Sequence, residues 1–477
     1  MSDQYGPPLV EAAGRRSWSI SLKVGTAVAA VGALVTLAGP AKAVPSFARQ
    51  TGLACEACHT IFPQLTPFGR RFKLNGYTLT TEHGVSDVDS KGNSVLSLAK
   101  FPPISAMIQV TDTWWQNTDK NGGQGGQGSV LFPRQFSLFY AGRITNHIGA
   151  YSQLTYEGNA DHLGIDNTDI RYSNHTAHDT WVWGVSLNNN PGVQDLWENN
   201  AGGWAFPFIK PGSKGGKYWN ANQQPLIMSL GQTTAGLTAY GFYDNSLYFE
   251  AGVYRSAVPG HMTYTGTNAN TNSGTISGYA PYWRLAYEKD WSHNSLEAGT
   301  TGMYTQESST ANGNNPAANG YAYTLNGNPI STYTDLGFDA QYEHIKNDNT
   351  FELTGNYWHE WQHNRSDGQG AYWSVENGAN ASNANDSVDF FEGAGTYYWQ
   401  RKIGGSLGYV YQTGSKDAGL YGNNNSPTTD FETLEVDYLP WLNTKFSVQY
   451  NIYNEVNGVS SHASDYNSLM LGMWTAF

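Results

Sequence analysis

Cysteine is nearly absent. The 477 residues hold two, Cys55 and Cys58, so no disulfide framework staples the chain. Charge is sparse as well: Asp, Glu, Lys and Arg make up 14% of residues, and the net charge is −13. That acidic balance speaks against a nucleic-acid partner and suits cations or basic proteins. Past the N-terminal region no apolar run approaches the ~20 residues that a transmembrane helix needs. No Ser/His/Asp triad or dinucleotide fingerprint stands out. The Gly/Gln stretch Gly122 to Gly128 has no following helix to cradle a phosphate.

Aromatic residues and turn formers are plentiful. There are 16 Trp, 31 Tyr and 19 Phe beside 54 Gly, and Asn crowds many segments. A chain rich in these and poor in charge reads as all-β with many turns.

The first 43 residues read as a secretory signal peptide. Arg15, Arg16 and Lys23 precede the apolar run Val24 to Ala38, and Ala41-Lys42-Ala43 is a small-x-small cleavage site. The run is short for the ~30 Å of a membrane core, which disfavours an anchor. Residues 44–100 then form a distinct segment. In it Cys55-Glu56-Ala57-Cys58-His59 matches C-x-x-C-H, the attachment pattern of one covalent haem c. Both thiols join the haem, and His59 is the proximal iron ligand. A redox cysteine pair or half a zinc site is the alternative, but no second CxxC supplies further zinc ligands. Thr66-Pro67 opens a helix, Phe68 and Phe72 share one of its faces, and Asn75-Gly76 ends it. Leu53, Ile61 and Phe62 add apolar surface near the cysteines. So small a segment needs a partner surface to enclose a cofactor.

Residues 101–477 alternate apolar and polar side chains. Leu336, Phe338, Ala340 and Tyr342 interleave with Asp335, Asp339 and Glu343; Leu434, Val436 and Tyr438 interleave with Glu435 and Asp437. About 16 such strands start near 103, 132, 146, 166, 180, 233, 246, 279, 294, 331, 350, 387, 403, 429, 442 and 465. Tight links (Thr145-Asn146, Asp244-Asn245, Lys346 to Asp348, Arg401-Lys402) alternate with long polar ones. Aromatic residues sit near strand ends as interfacial girdles would: Trp114, Trp115, Trp181, Trp183, Trp358, Trp361, Tyr397, Tyr398 and Trp399. The chain closes on an alternating strand ending in Phe477. Together these features predict an outer-membrane antiparallel β-barrel of about 16 strands, with the helical N-terminal c-type haem segment as a lumenal plug. The long link Asn190 to Gln224 is expected to fold inward on Trp197, Trp204 and Phe208, with a surface loop as the alternative.

The run from Val44 to Gly52, the C-x-x-C-H motif, and Phe62-Pro63-Gln64-Leu65-Thr66-Pro67-Phe68-Gly69-Arg70-Arg71-Phe72-Lys73-Leu74-Asn75-Gly76-Tyr77 resemble the haem segment of the fused monohaem cytochrome c–porins. That family includes outer-membrane iron-oxidising cytochromes. The resemblance implies a chain of the cell outer membrane that oxidises extracellular Fe(II). It also implies a soluble periplasmic cytochrome or other redox protein as the acceptor. The same architecture admits a diffusion porin with a haem plug, or electron export to an external acceptor.

Further residues are candidates for the site. Met107 lies on the inward side of the first strand, and no Met lies between Val44 and Ala106. As distal haem ligand it would raise the potential; the rival, His83, would give a lower one. In a third reading both are structural. Arg49, Arg70, Arg71 and Lys73 make the segment basic, and Asp335, Asp339, Glu343, Glu352, Glu360, Glu435 and Asp437 make the expected lumen acidic. Such a plug and wall are complementary. Asp335, Asp339, Glu343, Glu435 and Asp437 are also candidates for attracting Fe(II). His359 and His363 would lie ~13 Å apart on a strand, too far for one ion. His175 and His178 are expected in an exposed turn.

Overall fold

The computed structural model describes residues 45–60, 63–82, 84–92, 94–99, 102–116, 129–158, 161–192, 194–198, 208–209, 224–257, 275–308, 330–366, 372–374, 379–421 and 426–477. The signal-peptide region, Ile61, Phe62, His83 and Trp204 lie outside these residues.

Alternating side chains make long strands, and short turns pair each strand with the next. The barrel strands are β1 (Ile104–Trp115), β2 (Ser129–Arg143), β3 (Ile148–Glu157), β4 (His162–His175), β5 (Trp181–Asn188), β6 (Thr234–Tyr243), β7 (Leu247–Ser256) and β8 (Ala280–Trp291). They continue as β9 (Asn294–Ser308), β10 (Ile330–Lys346), β11 (Asn349–His363), β12 (Asn385–Trp399), β13 (Ile403–Gly414), β14 (Thr429–Trp441), β15 (Thr444–Glu455) and β16 (Ser468–Ala476). All sixteen expected starts fall within four residues of the observed ones. Every neighbour pairs antiparallel, and β16 returns to β1 with Ala476 opposite Met107, closing a 16-stranded barrel. Phe477 completes the seam, exchanging backbone hydrogen bonds of 2.8 Å with Ala106 in both directions.

The two rims differ because the turns differ. Asp244-Asn245, Asn347-Asp348 and Gln400-Arg401 each hold two consecutive positive φ values, from 49° to 63°, as two-residue hairpins require. These turns share one rim with the 144–147 and 442–443 links and with the start of β1. The long links share the other rim.

Period-two alternation then sorts the faces. On β8 Trp283, Leu285 and Tyr287 are exposed outward, while Tyr282, Arg284, Ala286 and Glu288 are buried inward. An apolar outer face around a closed wall is what a membrane-spanning barrel presents to lipid. Trp358 and Tyr398, expected in the girdles, face the other way. Trp358 is buried in an apolar layer of the lumen, and Tyr398 points inward to bond Asp437. Each sits one residue from an outward neighbour (Tyr357; Tyr397 and Trp399), so the alternation of the strand overrides proximity to its end.

The lumen is partly filled. In its long-link half a short helix, Leu226–Ser229, brings Leu226, Ile227 and the following Leu230 against Tyr254, Tyr282, Met303, Tyr333, Trp358, Phe390 and Phe431. Trp197 and Phe208 from the long inner link are also buried, as expected for a link folded inward.

Candidate cofactor site

Among the described residues, three short helices precede the barrel: α1 (Pro45–Thr51), α2 (Cys55–Cys58) and α3 (Pro67–Leu74). Thr66 caps α3 by accepting from the Gly69 amide at 3.1 Å, and Pro67 follows at the first helical position. Thr66 also binds α2, donating its amide to the Cys58 carbonyl at 2.9 Å and its hydroxyl to the Ala57 carbonyl at 2.7 Å. This contact needs Gly69. A Cβ there would stand 2.2 Å from the Cys58 carbonyl oxygen. Gly69→Ala should therefore push α3 off the C-x-x-C-H turn at a cost of about 1–3 kcal/mol. Limited proteolysis within 45–77 should quicken, with the folded barrel's gel mobility unchanged. Phe72 is buried between Phe47 and Tyr77, with ring centroids 5.0 Å and 5.9 Å away. Phe68, its partner on the helix face, is left 40% exposed.

The segment is seated in the short-turn mouth. Arg49 donates to the Ile104 carbonyl, and Gln50 accepts from the Arg143 amide at 2.8 Å. Glu56 pairs with Arg401 at 2.9 Å, and Arg71 donates to the Asn245 carbonyl at 3.2 Å. Ile104, Arg143, Asn245 and Arg401 all belong to that rim.

Deeper contacts are stronger. Arg70 is fully buried and bonds Glu288 at 2.7 Å, Glu343 at 2.8 Å, Ser295 at 2.9 Å and the Leu65 carbonyl at 2.6 Å. Burial opposes its charge, but the carboxylates of Glu343 and Glu288 outweigh that and hold its pKa above the ordinary value. Lys73 reaches Glu198 at 2.8 Å and the Asp195 carbonyl at 2.7 Å. Tyr77 donates to Asp169 at 2.6 Å, and Tyr240 to the Leu74 carbonyl at 2.7 Å. Glu288, Glu198 and Asp169 were not among the expected partners of the basic segment.

The expected iron-attracting acids have other occupations. Asp339 binds Arg284 at 2.8 Å, Glu343 binds Arg70, and Lys445 lies 2.8 Å from Glu435 and 3.8 Å from Asp437. Each of these four has a cationic partner within the protein, although Lys445 and Arg284 are each shared by more than one carboxylate. Asp335 stands opposite Glu360 in register. Glu352 accepts from Thr60 at 2.6 Å, and Glu360 accepts from the Leu226 amide at 2.6 Å, anchoring the lumenal helix. His359 and His363 turn to separate partners, Asp389 and Asn385, each at 2.7 Å. His175 is exposed and pairs with Asp179 at 2.7 Å.

A cavity of ≈ 480 Å³ touches Cys58 and His59, within the range of small-molecule pockets. Phe47, Leu65, Phe72, Phe139 and Trp474 give it apolar walls, and Met107 also lines it. A second cavity, ≈ 50 Å³, lies by Cys55 and touches His59 and Trp474 as well. The two cysteines are unbridged. Burial, and then the Cys55 sulfur, push the Cys58 thiol up to about 11, so it stands protonated near neutral pH. The His59 Nδ1 lies 3.0 Å from the Pro63 carbonyl and 3.2 Å from that of Gln64. Donation to those carbonyls would place the proton on Nδ1 and leave the Nε2 lone pair available, the usual outer support of a metal-bound imidazole. Burial lowers the His59 pKa, which keeps the ring neutral as a ligand must be. These residues fit a covalently held haem: thiols, a tautomer-fixed His, apolar walls, and a thioether on the same cavity.

Wall, filling and mouth define a closed membrane β-barrel with a C-x-x-C-H segment seated at its short-turn rim. No family model and no curated protein matches the chain. Among solved structures it is similar to OmpT of Vibrio cholerae in a loop L8 deletion form. That match has 10% identity and a TM-score of 0.44, and it covers 78% of this chain and 98% of that one. It is also similar to OmpF of Salmonella typhi (14% identity, 82% and 100% covered, TM-score 0.45). A third is the outer-membrane channel DcaP of Acinetobacter baumannii (10% identity, 78% and 96% covered, TM-score 0.45).

Proposed function

We propose that this chain is an outer-membrane monohaem c-type cytochrome fused to a porin-like barrel, oxidising extracellular Fe(II) and delivering the electron to a periplasmic redox protein. The observation that carries this is His59: its Nδ1 is tied to backbone carbonyls beside two unbridged cysteines, on a ligand-sized cavity at the short-turn mouth. In bacterial barrels the short turns face the periplasm, so a soluble acceptor meets the segment directly. Haem c held there supplies a one-electron carrier for the conversion of Fe(II) to Fe(III). Cys55 and Cys58 would hold it, His59 would ligate its iron, and Met107, lining the same cavity, is the distal candidate. Met107→His should lower the midpoint potential, because exchanging a thioether for an imidazole favours the ferric state; spectroelectrochemical titration measures the shift.

The test is anaerobic addition of Fe(II) to the oxidised, purified, full-length protein. The reduced haem absorption band should appear at the working pH. Absence of covalent haem, or haem that Fe(II) never reduces, overturns the proposal.

A second reading is a diffusion porin whose N-terminal segment plugs one mouth. The closed 16-stranded wall favours it. Ion conductance that persists with the segment in place, unchanged by redox state, would establish it. Electron export uses the same parts, and a low midpoint potential would favour it.

A further inference from the structure

The lumen is not one passage. Its β8–β14 side is filled by the apolar layer around Leu226, Ile227 and Leu230, and beneath that layer by the ion pairs of Arg284 and Arg70. The cavity touching His59 lies elsewhere. It follows the β1–β4 wall, where the inward residues Tyr151, Gln153, Thr155 and Glu157 of β3 all line it. At ~3.4 Å per residue this row climbs about 20 Å. At its upper end Glu157 is 45% exposed and pairs with Arg134 at 3.2 Å. Beside it Asp166 is buried, accepting from Thr155 at 3.1 Å and from Gln232.

The wall between is uncharged and internally bonded. Gln153 donates to Ser137 and Thr155, each at 3.1 Å, and Tyr151 donates to Gln153 at 2.9 Å. Across the cavity from this wall the charged residues Lys73 and Glu198 also line it, and they are paired with each other at 2.8 Å. The upper end carries two carboxylates against one guanidinium, which favours a small cation over an anion.

We infer that the route from the long-link side to His59 runs along the β1–β4 wall, with the carboxylate excess of Asp166 and Glu157 over Arg134 favouring small hydrated cations at its entrance, and that the acidic β8–β14 wall is not a route. The cation's identity as Fe(II) rests on the proposed function; the route does not.

The haem-loaded, full-length protein has both native cysteines in thioether bonds on that reading, so an introduced cysteine is a clean probe. T155C lies on the proposed route, and M303C lies within the apolar layer. A small, charged, water-soluble thiol reagent should label T155C readily and M303C at least roughly tenfold more slowly. Blocking T155C should slow reduction by Fe(II) by roughly tenfold. Equal labelling of the two sites, or faster labelling of M303C, overturns the route. Labelling of T155C that leaves Fe(II)-dependent reduction unchanged overturns it as the iron path. If the unmodified protein is not reduced by Fe(II) at all, the proposed function fails, while the labelling comparison still decides the route.

Discussion

Serine at both Cys55 and Cys58 should leave a folded barrel that carries no covalent haem. The C-x-x-C-H turn contributes little to the wall. It touches the barrel through Glu56 with Arg401, whereas the sheet closes through the β16–β1 pairing and the backbone bonds of Phe477. Removing two sulfurs therefore removes the attachment chemistry and little else. Haem-dependent peroxidase staining after denaturing electrophoresis should vanish. The heat-dependent gel mobility of a folded barrel should remain. Retention of covalent haem in the double variant would exclude the motif as its anchor. His59→Ala is the companion: it keeps both thiols but removes the Nε2 ligand, so attached haem with altered iron ligation is expected. Loss of the barrel itself in either variant would show that the segment is needed for folding and not only for the site.

Strand positions were readable because period-two alternation and the Asn/Asp-rich tight links mark them directly. The facing of Asp335, Asp339 and Glu343 came from the same rule. What alternation does not report is which inward residues meet across the lumen. Glu288 lies in Tyr287-Glu288-Lys289-Asp290, which reads as an ordinary charged strand end, yet it is a principal partner of Arg70 and accepts from Trp197 at 2.7 Å. Arg284 sits in the otherwise uncharged stretch Tyr282 to Tyr287, and only the folded inner link brings Asp195 to it at 2.6 Å. The basic character of residues 49–73 was visible, and the acidity of the wall was visible, but their pairing depends on the seating of the segment. Trp358 shows the opposite error, because its place near a strand end outweighed its parity in the reading. The apolar layer was missed for a related reason. Apart from Leu226, Ile227 and Leu230, its members are mostly one or two inward residues from each of several strands, so no stretch of sequence displays them together.

Replacing Arg70 with Met should release the segment from the short-turn mouth. The side chain is fully buried and bonded to two carboxylates, a hydroxyl and a carbonyl. Methionine keeps much of the volume but no donor. Glu288 would retain Arg71 at 3.2 Å and Trp197 at 2.7 Å, whereas Glu343 would lose its cation in a buried setting. Breaking a buried pair from one side typically costs about 3–5 kcal/mol, because the abandoned charge stays desolvated. The barrel has an extensive backbone ladder to absorb that cost, whereas the segment is held to it by individual side-chain contacts. The penalty should therefore fall on docking: faster proteolysis between residues 45 and 77, and larger single-channel conductance in bilayers, with the barrel's gel mobility kept. Adding Glu343→Gln to the Met variant should recover a substantial part of the protection, since a neutral amide at that position leaves no buried charge behind. A Met variant as protected and as poorly conducting as the parent would show that the segment is held by its apolar contacts around Leu74 and Phe72. A double variant no better than the single one would place the loss in the hydrogen bonds to Ser295 and Leu65, not in the stranded carboxylate.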